Sequence, residues 1–237
     1  MSNQFARTKM LIGEAGLAVL QSSAVIVCGL GGVGSYVAES LARSGVGRLR
    51  LVDFDLVDVT NINRQLPALT STVGQVKAEV MAARLLDINP ELEVEPLPLK
   101  ICPDSIEQVL QGRWDYVADA IDDVAAKVLL IKQSLARGIP VISSMGAGNK
   151  LNPTMARVAD ISETFGCALA KAVRRSLREA GINSGVLTVF SPEAPPATKA
   201  RGRTPASMAF VPGTFGLTMA AEITKRLLAK AQAGDWQ

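Results

Sequence analysis

The run from Ala24 to Arg64 constrains the fold more than any other part of this chain. It reads AVIVC, then Gly29-Leu30-Gly31-Gly32-Val33-Gly34, then apolar residues at helical spacing (Val33, Val37, Leu41), then LRLVDFD and TNINRQ. An unbroken apolar or β-branched run predicts a buried parallel strand. The glycines follow at once, and Gly45 stands where a helix would stop. Strand, tight turn, helix and strand make one βαβ unit with a phosphate-binding turn. In such a turn Gly29 permits the bend, Gly31 lets the backbone approach a phosphate, and Gly34 lets helix and strand pack closely. Unpaired N–H groups at the helix start favour an anion. Asp53 follows the last glycine by about 20 residues, where a carboxylate suits a ribose hydroxyl.

The same alternation continues. Apolar runs at 92–99, 114–120 and 139–143 predict further strands, separated by helical patterns at 74–89, 103–111 and 124–137. Shorter strands are expected at 154–159 and 186–190, a basic helix at 167–180, and a last helix from Thr214. The expected fold is α/β: a Rossmann-like, doubly wound, mostly parallel sheet with helices on both faces and a C-terminal extension. Residues 1–158 read as a nucleotide-binding core with an N-terminal helical arm over 5–20. Residues 159–237 read as a basic, substrate-binding and helical extension of the same domain.

A sheet buried on both faces accounts for the mean hydropathy of +0.24 and the 48% hydrophobic content. The most apolar late stretch, 211–228, is interrupted by Glu222, Lys225 and Arg226, so no membrane span is expected. The polar start MSNQFARTK predicts no signal peptide, which fits a cytoplasmic protein.

Histidine is absent, which removes Ser-His-Asp and Cys-His catalysis and histidine metal sites. Cys28, Cys102 and Cys167 are far apart and form no CxxC, so neither structural zinc nor a disulfide framework is expected. Cys28 reads as core; Cys167, beside a glycine, leaves exposure open and reads as structural or incidental before nucleophilic.

Two polar clusters follow strand ends, the place where open α/β sheets bind ligands. Asn61, Asn63, Arg64 and Gln65 lie within five residues, and an arginine there can fork onto phosphate oxygens. Asp119, Asp122 and Asp123 follow the 114–120 strand and suit magnesium, or the capping of the next helix. Lys77 lies in a first helical turn, where a solvated lysine is the default and a bound anion the alternative. Charge is uneven. Residues 171–203 hold seven Lys/Arg against two Asp/Glu, a balance of +5, while the whole chain is +3. That basic set (Lys171, Arg174, Arg175, Arg178, Lys199, Arg201 and Arg203) suits a phosphate backbone such as tRNA, or else is a solvated face.

The ordered series GLGGVG, LVDFD, TNINRQ, GQVKAE and DAIDD resembles the ubiquitin-activating-enzyme-like, ATP-dependent adenylyltransferases. Within that group the chain is most similar to the tRNA threonylcarbamoyladenosine dehydratases. The supporting stretches run from Gly45-Val46-Gly47 to Val189-Phe190-Ser191 with Glu193 and span roughly residues 5–228. The resemblance implies that Gly29, Gly31, Gly32 and Gly34 bind ATP phosphates and Asp53 the ribose. It implies that Asn61, Arg64 and Lys77 hold the triphosphate and stabilise departing pyrophosphate, and that Asp122 carries Mg2+. Arg7 matches an arm arginine that reaches the ATP of the other subunit, so a homodimer is implied. The implied reaction is adenylation of the carboxylate of threonylcarbamoyladenosine at position 37 of tRNA, followed by ring closure. A sulfur-transfer or cysteine desulfurase partner and a monovalent cation near the site are also open. The alternative within the superfamily is activation of a ubiquitin-like sulfur-carrier protein. An NAD-dependent oxidoreductase and a non-catalytic nucleotide sensor also fit the glycine turn.

Overall fold

The computed structural model describes residues 4–195 and 205–234. Strands β1 (Ala24–Cys28), β2 (Arg48–Val52), β3 (Glu93–Leu97), β4 (Tyr116–Asp119), β5 (Val141–Ser144), β6 (Arg157–Asp160) and β7 (Leu187–Phe190) form one sheet. Its order is β3-β2-β1-β4-β5-β7-β6. Every pairing is parallel except β6 with β7. The expected doubly wound, mostly parallel architecture is present. The order reverses between β1 and β4, so the loops leaving those two strands part to opposite faces and open a crevice between them.

Period-two alternation along β1 divides the core. Val25 and Val27 face a layer built by α2 (Gly34–Ser44), α3 (Lys77–Ile88) and α7 (Phe210–Gly234). Ile26 and Cys28 face a layer built by α4 (Ile106–Leu110), α5 (Val124–Ala136) and α6 (Ala168–Glu179). The C-terminal helix belongs to the first layer: Phe215, Met219 and Ile223 are fully buried there. Small residues let it approach α2. A Cβ on Gly216 would stand 2.5 Å from the Val33 carbonyl oxygen.

Several boundaries differ from the sequence expectation, each for a local reason. The arm α1 (Ala6–Ser22) is broken at Gly13, whose φ of 75° interrupts the helix. The helix expected from residue 74 starts at Lys77, because Gly74 and Gln75 instead pair with Val57 in a backbone loop (Val57 N–H to Gln75 O, 2.8 Å). The last helix starts at Phe210 rather than Thr214. Its Pro212 sits in the first turn, where no N–H is needed. Cys167, whose exposure the sequence left open, is 8% exposed, its Sγ packed at Gly146 in the loop after β5. No described helix is long and apolar enough to cross a membrane.

Candidate nucleotide-binding site

The glycine turn lies on the crevice. Gly29 has a φ of 84°, and a Cβ there would stand 2.8 Å from the Ala120 carbonyl oxygen at the end of β4. Gly34 is more constrained: a Cβ would fall 1.7 Å from the Gly29 oxygen. The turn therefore closes only with hydrogen at both positions. Among the described residues the N–H groups of Gly31, Gly32 and Val33 meet no acceptor. They precede α2, where the helix dipole adds positive potential.

One chain of contacts ties Asp53 and Lys77 to this turn. Asp53 is 8% exposed and accepts from the Leu30 N–H at 2.6 Å and the Asp55 N–H at 2.9 Å. Burial pushes its carboxyl above the ordinary value, against the pull of the Leu30 N–H and the Lys77 charge. Asp55 in turn accepts from Lys77 Nζ at 2.8 Å. Lys77 is not solvated: it is 4% exposed, because the 54–57 loop folds across the start of α3. A cation held this way is stationed beside the turn rather than spread through solvent.

The TNINRQ stretch covers the turn from the other side. Asn61 is buried and closes a capping box with Asp58, accepting from its N–H at 3.1 Å. Arg64 lies over Gly32, its Cγ 3.3 Å from where a Cβ would stand. Its guanidinium donates to the Thr60 carbonyl at 2.7 Å and remains accessible. The Gln65 amide lies over Gly31, its Nε2 3.7 Å from the corresponding point.

The carboxylates after β4 separate into different roles. Asp119 is fully buried and accepts from Lys127 Nζ at 2.8 Å and Ser143 Oγ at 2.7 Å, so it is spent on a lock between β4, β5 and α5. Asp119 is therefore withdrawn from the carboxylates expected to suit magnesium. Asp123 caps α5 through the Ala126 N–H at 2.8 Å. Asp122 is exposed and has no partner among the described residues. No group of three or more metal-ligating side chains occurs among the described residues. A single accessible carboxylate beside a phosphate site still fits Mg2+, which takes one or two carboxylates and completes its shell with phosphates and water.

Other expected residues lie elsewhere. Arg7 is exposed on α1, and its neighbour Phe5 packs at Gly45, the end of α2 remote from the turn. Lys171, Arg175 and Arg178 are exposed on α6, and Arg175 pairs with Glu179 at 2.9 Å. Arg174 instead turns inward and donates to the Thr164 carbonyl at 2.7 Å. Lys199, Arg201 and Arg203 lie outside the described residues. The sequence placed Gln65 in the polar cluster after β2 without a contact of its own, and gave no role to Asp55 or the Lys127 lock. The one available signal was a lysine inside the apolar stretch of α5.

A doubly wound sheet whose switch-point crevice presents idle turn N–H groups beside a stationed lysine, an arginine and a free carboxylate defines a nucleotide-phosphate-binding α/β protein. The family is narrower than that: residues 5–235 match the ThiF family, and the chain belongs to it. It is 47% identical over 243 residues to the tRNA threonylcarbamoyladenosine dehydratase of Bacillus subtilis, covering 96% of each chain. It is 38% identical over 253 residues to the protein of that name in Escherichia coli, covering 96% of this chain and 94% of that one. The crystal structure of the E. coli dehydratase in complex with ATP superposes with a TM-score of 0.90 at 37% identity, over 97% of this chain and 96% of that one.

Proposed function

We propose that this chain is an ATP-dependent dehydratase that cyclises N6-threonylcarbamoyladenosine at position 37 of tRNA. The observation that carries this is the end-to-end similarity to proteins of that name. ATP supplies the electrophilic α-phosphorus; Asp122 would hold Mg2+, which would neutralise charge on the phosphates. The threonyl carboxylate attacks that phosphorus, the bond to the β-phosphate breaks, and pyrophosphate leaves. The carbamoyl group then closes onto the acyl-adenylate carbonyl. One carboxylate oxygen departs with AMP, and the proton lost on closure passes to solvent.

The chain's residues perform positioning and electrostatics rather than covalent catalysis. The Gly31–Val33 N–H groups seat the phosphates. Arg64 and Lys77 face the charge that grows on pyrophosphate, and Asp53 orients the ribose. No histidine base is required, which agrees with the composition. Tyr36, Gly213 and Gly216 fix α7 against the start of α2 and so hold the turn rigid.

The working unit in this reading is a homodimer. Met10 and Leu11 on α1 are 86% and 85% exposed, and Phe54, Leu56, Val59 and Leu69 add an apolar surface beside the site. A second copy on that surface brings its Arg7 to a site that Arg7 of the same chain does not approach. The exposed Lys171, Arg175 and Arg178 face of α6 meets the tRNA backbone. Pyrophosphate release with ATP, magnesium and tRNA carrying the uncyclised nucleoside tests the proposal. Release only with a Gly-Gly-ended carrier protein would favour carrier activation instead.

A further inference from the structure

Among the described residues, Gln65 is a buried side chain at the site whose amide is unspent. It is 9% exposed, and its Oε1 is buried with no hydrogen-bond partner. Its Nε2 likewise has no partner among the described residues. A buried amide oxygen left without a partner carries its full desolvation cost, so such groups ordinarily find partners. Nothing in the backbone forces the arrangement. The main chain of Gln65 is fully used, donating to Asn61 O at 3.0 Å and accepting from Ala68 N at 3.1 Å, which fixes where the side chain starts. From there the amide reaches Gly31, beside the N–H groups of Gly31, Gly32 and Val33 that meet no acceptor. Idle donors of the turn and an idle amide thus converge on one spot.

We propose that Gln65 is a direct ligand of the nucleotide's phosphate chain, its Nε2–H donating to a phosphate oxygen seated on the Gly31–Val33 N–H groups. This rests on the ATP-binding reading of the glycine turn and adds a neutral donor to the charged pair Arg64 and Lys77. The Nε2 end of the amide is thus satisfied only when nucleotide is bound. The amide is therefore a group whose cost in the free protein is relieved by the ligand, which a purely structural glutamine would not be.

The test is nucleotide binding by calorimetry, with ATP and with adenosine, on the full chain and on Gln65→Leu, Gln65→Glu and Gln65→Asn, alongside melting without nucleotide. Gln65→Leu should melt at or above the wild-type temperature, because an unsatisfied amide is removed, yet bind ATP at least about tenfold more weakly. Gln65→Glu places a negative charge against the phosphates and should lose more. Gln65→Asn, which keeps the amide but shortens it, should fall between wild type and Gln65→Leu. Adenosine binding should change less than about twofold in all three. Equal loss for adenosine and ATP, or ATP binding unchanged in the variants, overturns the proposal alone. Wild-type protein that binds no ATP overturns the ATP-binding reading, and this proposal with it.

Discussion

Residues near the glycine turn divide into those that hold the turn and those that use it, and substitution separates them. Gly34→Ala sets a methyl 1.7 Å from the Gly29 oxygen. Backbone must move, so this variant should lose about 3 kcal/mol or more in urea unfolding. Asp122→Ala touches no partner and should stay within about 0.5 kcal/mol of wild type while abolishing pyrophosphate release. Lys127→Met belongs with the first group. It removes the cation from the fully buried Asp119, leaving only Ser143 Oγ and the Ile121 N–H as donors, a loss of about 3–5 kcal/mol, part of which the added change Asp119→Asn should restore. At this scale the sequence was legible where a residue type has one use. The glycines and Asp53 lie at the turn because spacing within one βαβ unit determines their place, and Arg64 follows in the loop after its second strand. Solvation, the default for Lys77, and a metal role for Asp119 both gave way, because their partners Asp55 and Lys127 depend on how a loop and a helix fold back. A pattern of residue types does not encode such contacts.

Elements show the same division. Strand and helix identities followed from periodicity, since burial of a sheet on both faces leaves a plain apolar signature in β1, β4 and β5. Boundaries shifted where backbone hydrogen bonding decided them, as at residues 74–76. The segment 145–155 is held by Glu193, whose carboxylate accepts from the Leu151 N–H at 2.9 Å and the Asn152 N–H at 3.0 Å. The Leu151 N–H first, then the Asn152 N–H and the Lys150 charge, keep this carboxyl below its ordinary value of 4.5. A depressed carboxylate contributes stability that is present above 4.5 and lost as pH falls through the lower folded-state value. Glu193→Gln should therefore remove part of the wild-type difference in urea midpoint between about pH 7 and about pH 3.5. An unchanged difference would show that the Glu193 contacts carry none of it.

The whole molecule pairs a nearly neutral nucleotide crevice with a basic helix, and these two regions should respond to salt differently. If Lys171, Arg175 and Arg178 each meet a phosphate, tRNA affinity should fall about 10–50-fold between ~50 and ~200 mM salt through those contacts. Replacing all three with alanine should reduce the salt slope by about 2–3, whereas Arg174→Ala should leave it unchanged, because Arg174 is spent on Thr164. Arg7 belongs to this scale as well. It lies remote from the turn of its own chain, so the role proposed for it requires a second copy, which sedimentation and mixed-subunit assays of Arg7→Ala would test.

The most direct measurement is incubation of the protein with ATP, magnesium and tRNA from cells unable to cyclise threonylcarbamoyladenosine, followed by pyrophosphate assay and mass analysis of the nucleosides. Pyrophosphate release matched by loss of one water from the nucleoside, both abolished by Asp122→Ala, is the outcome the site predicts. An unchanged nucleoside mass in the presence of active nucleotide binding would contradict it.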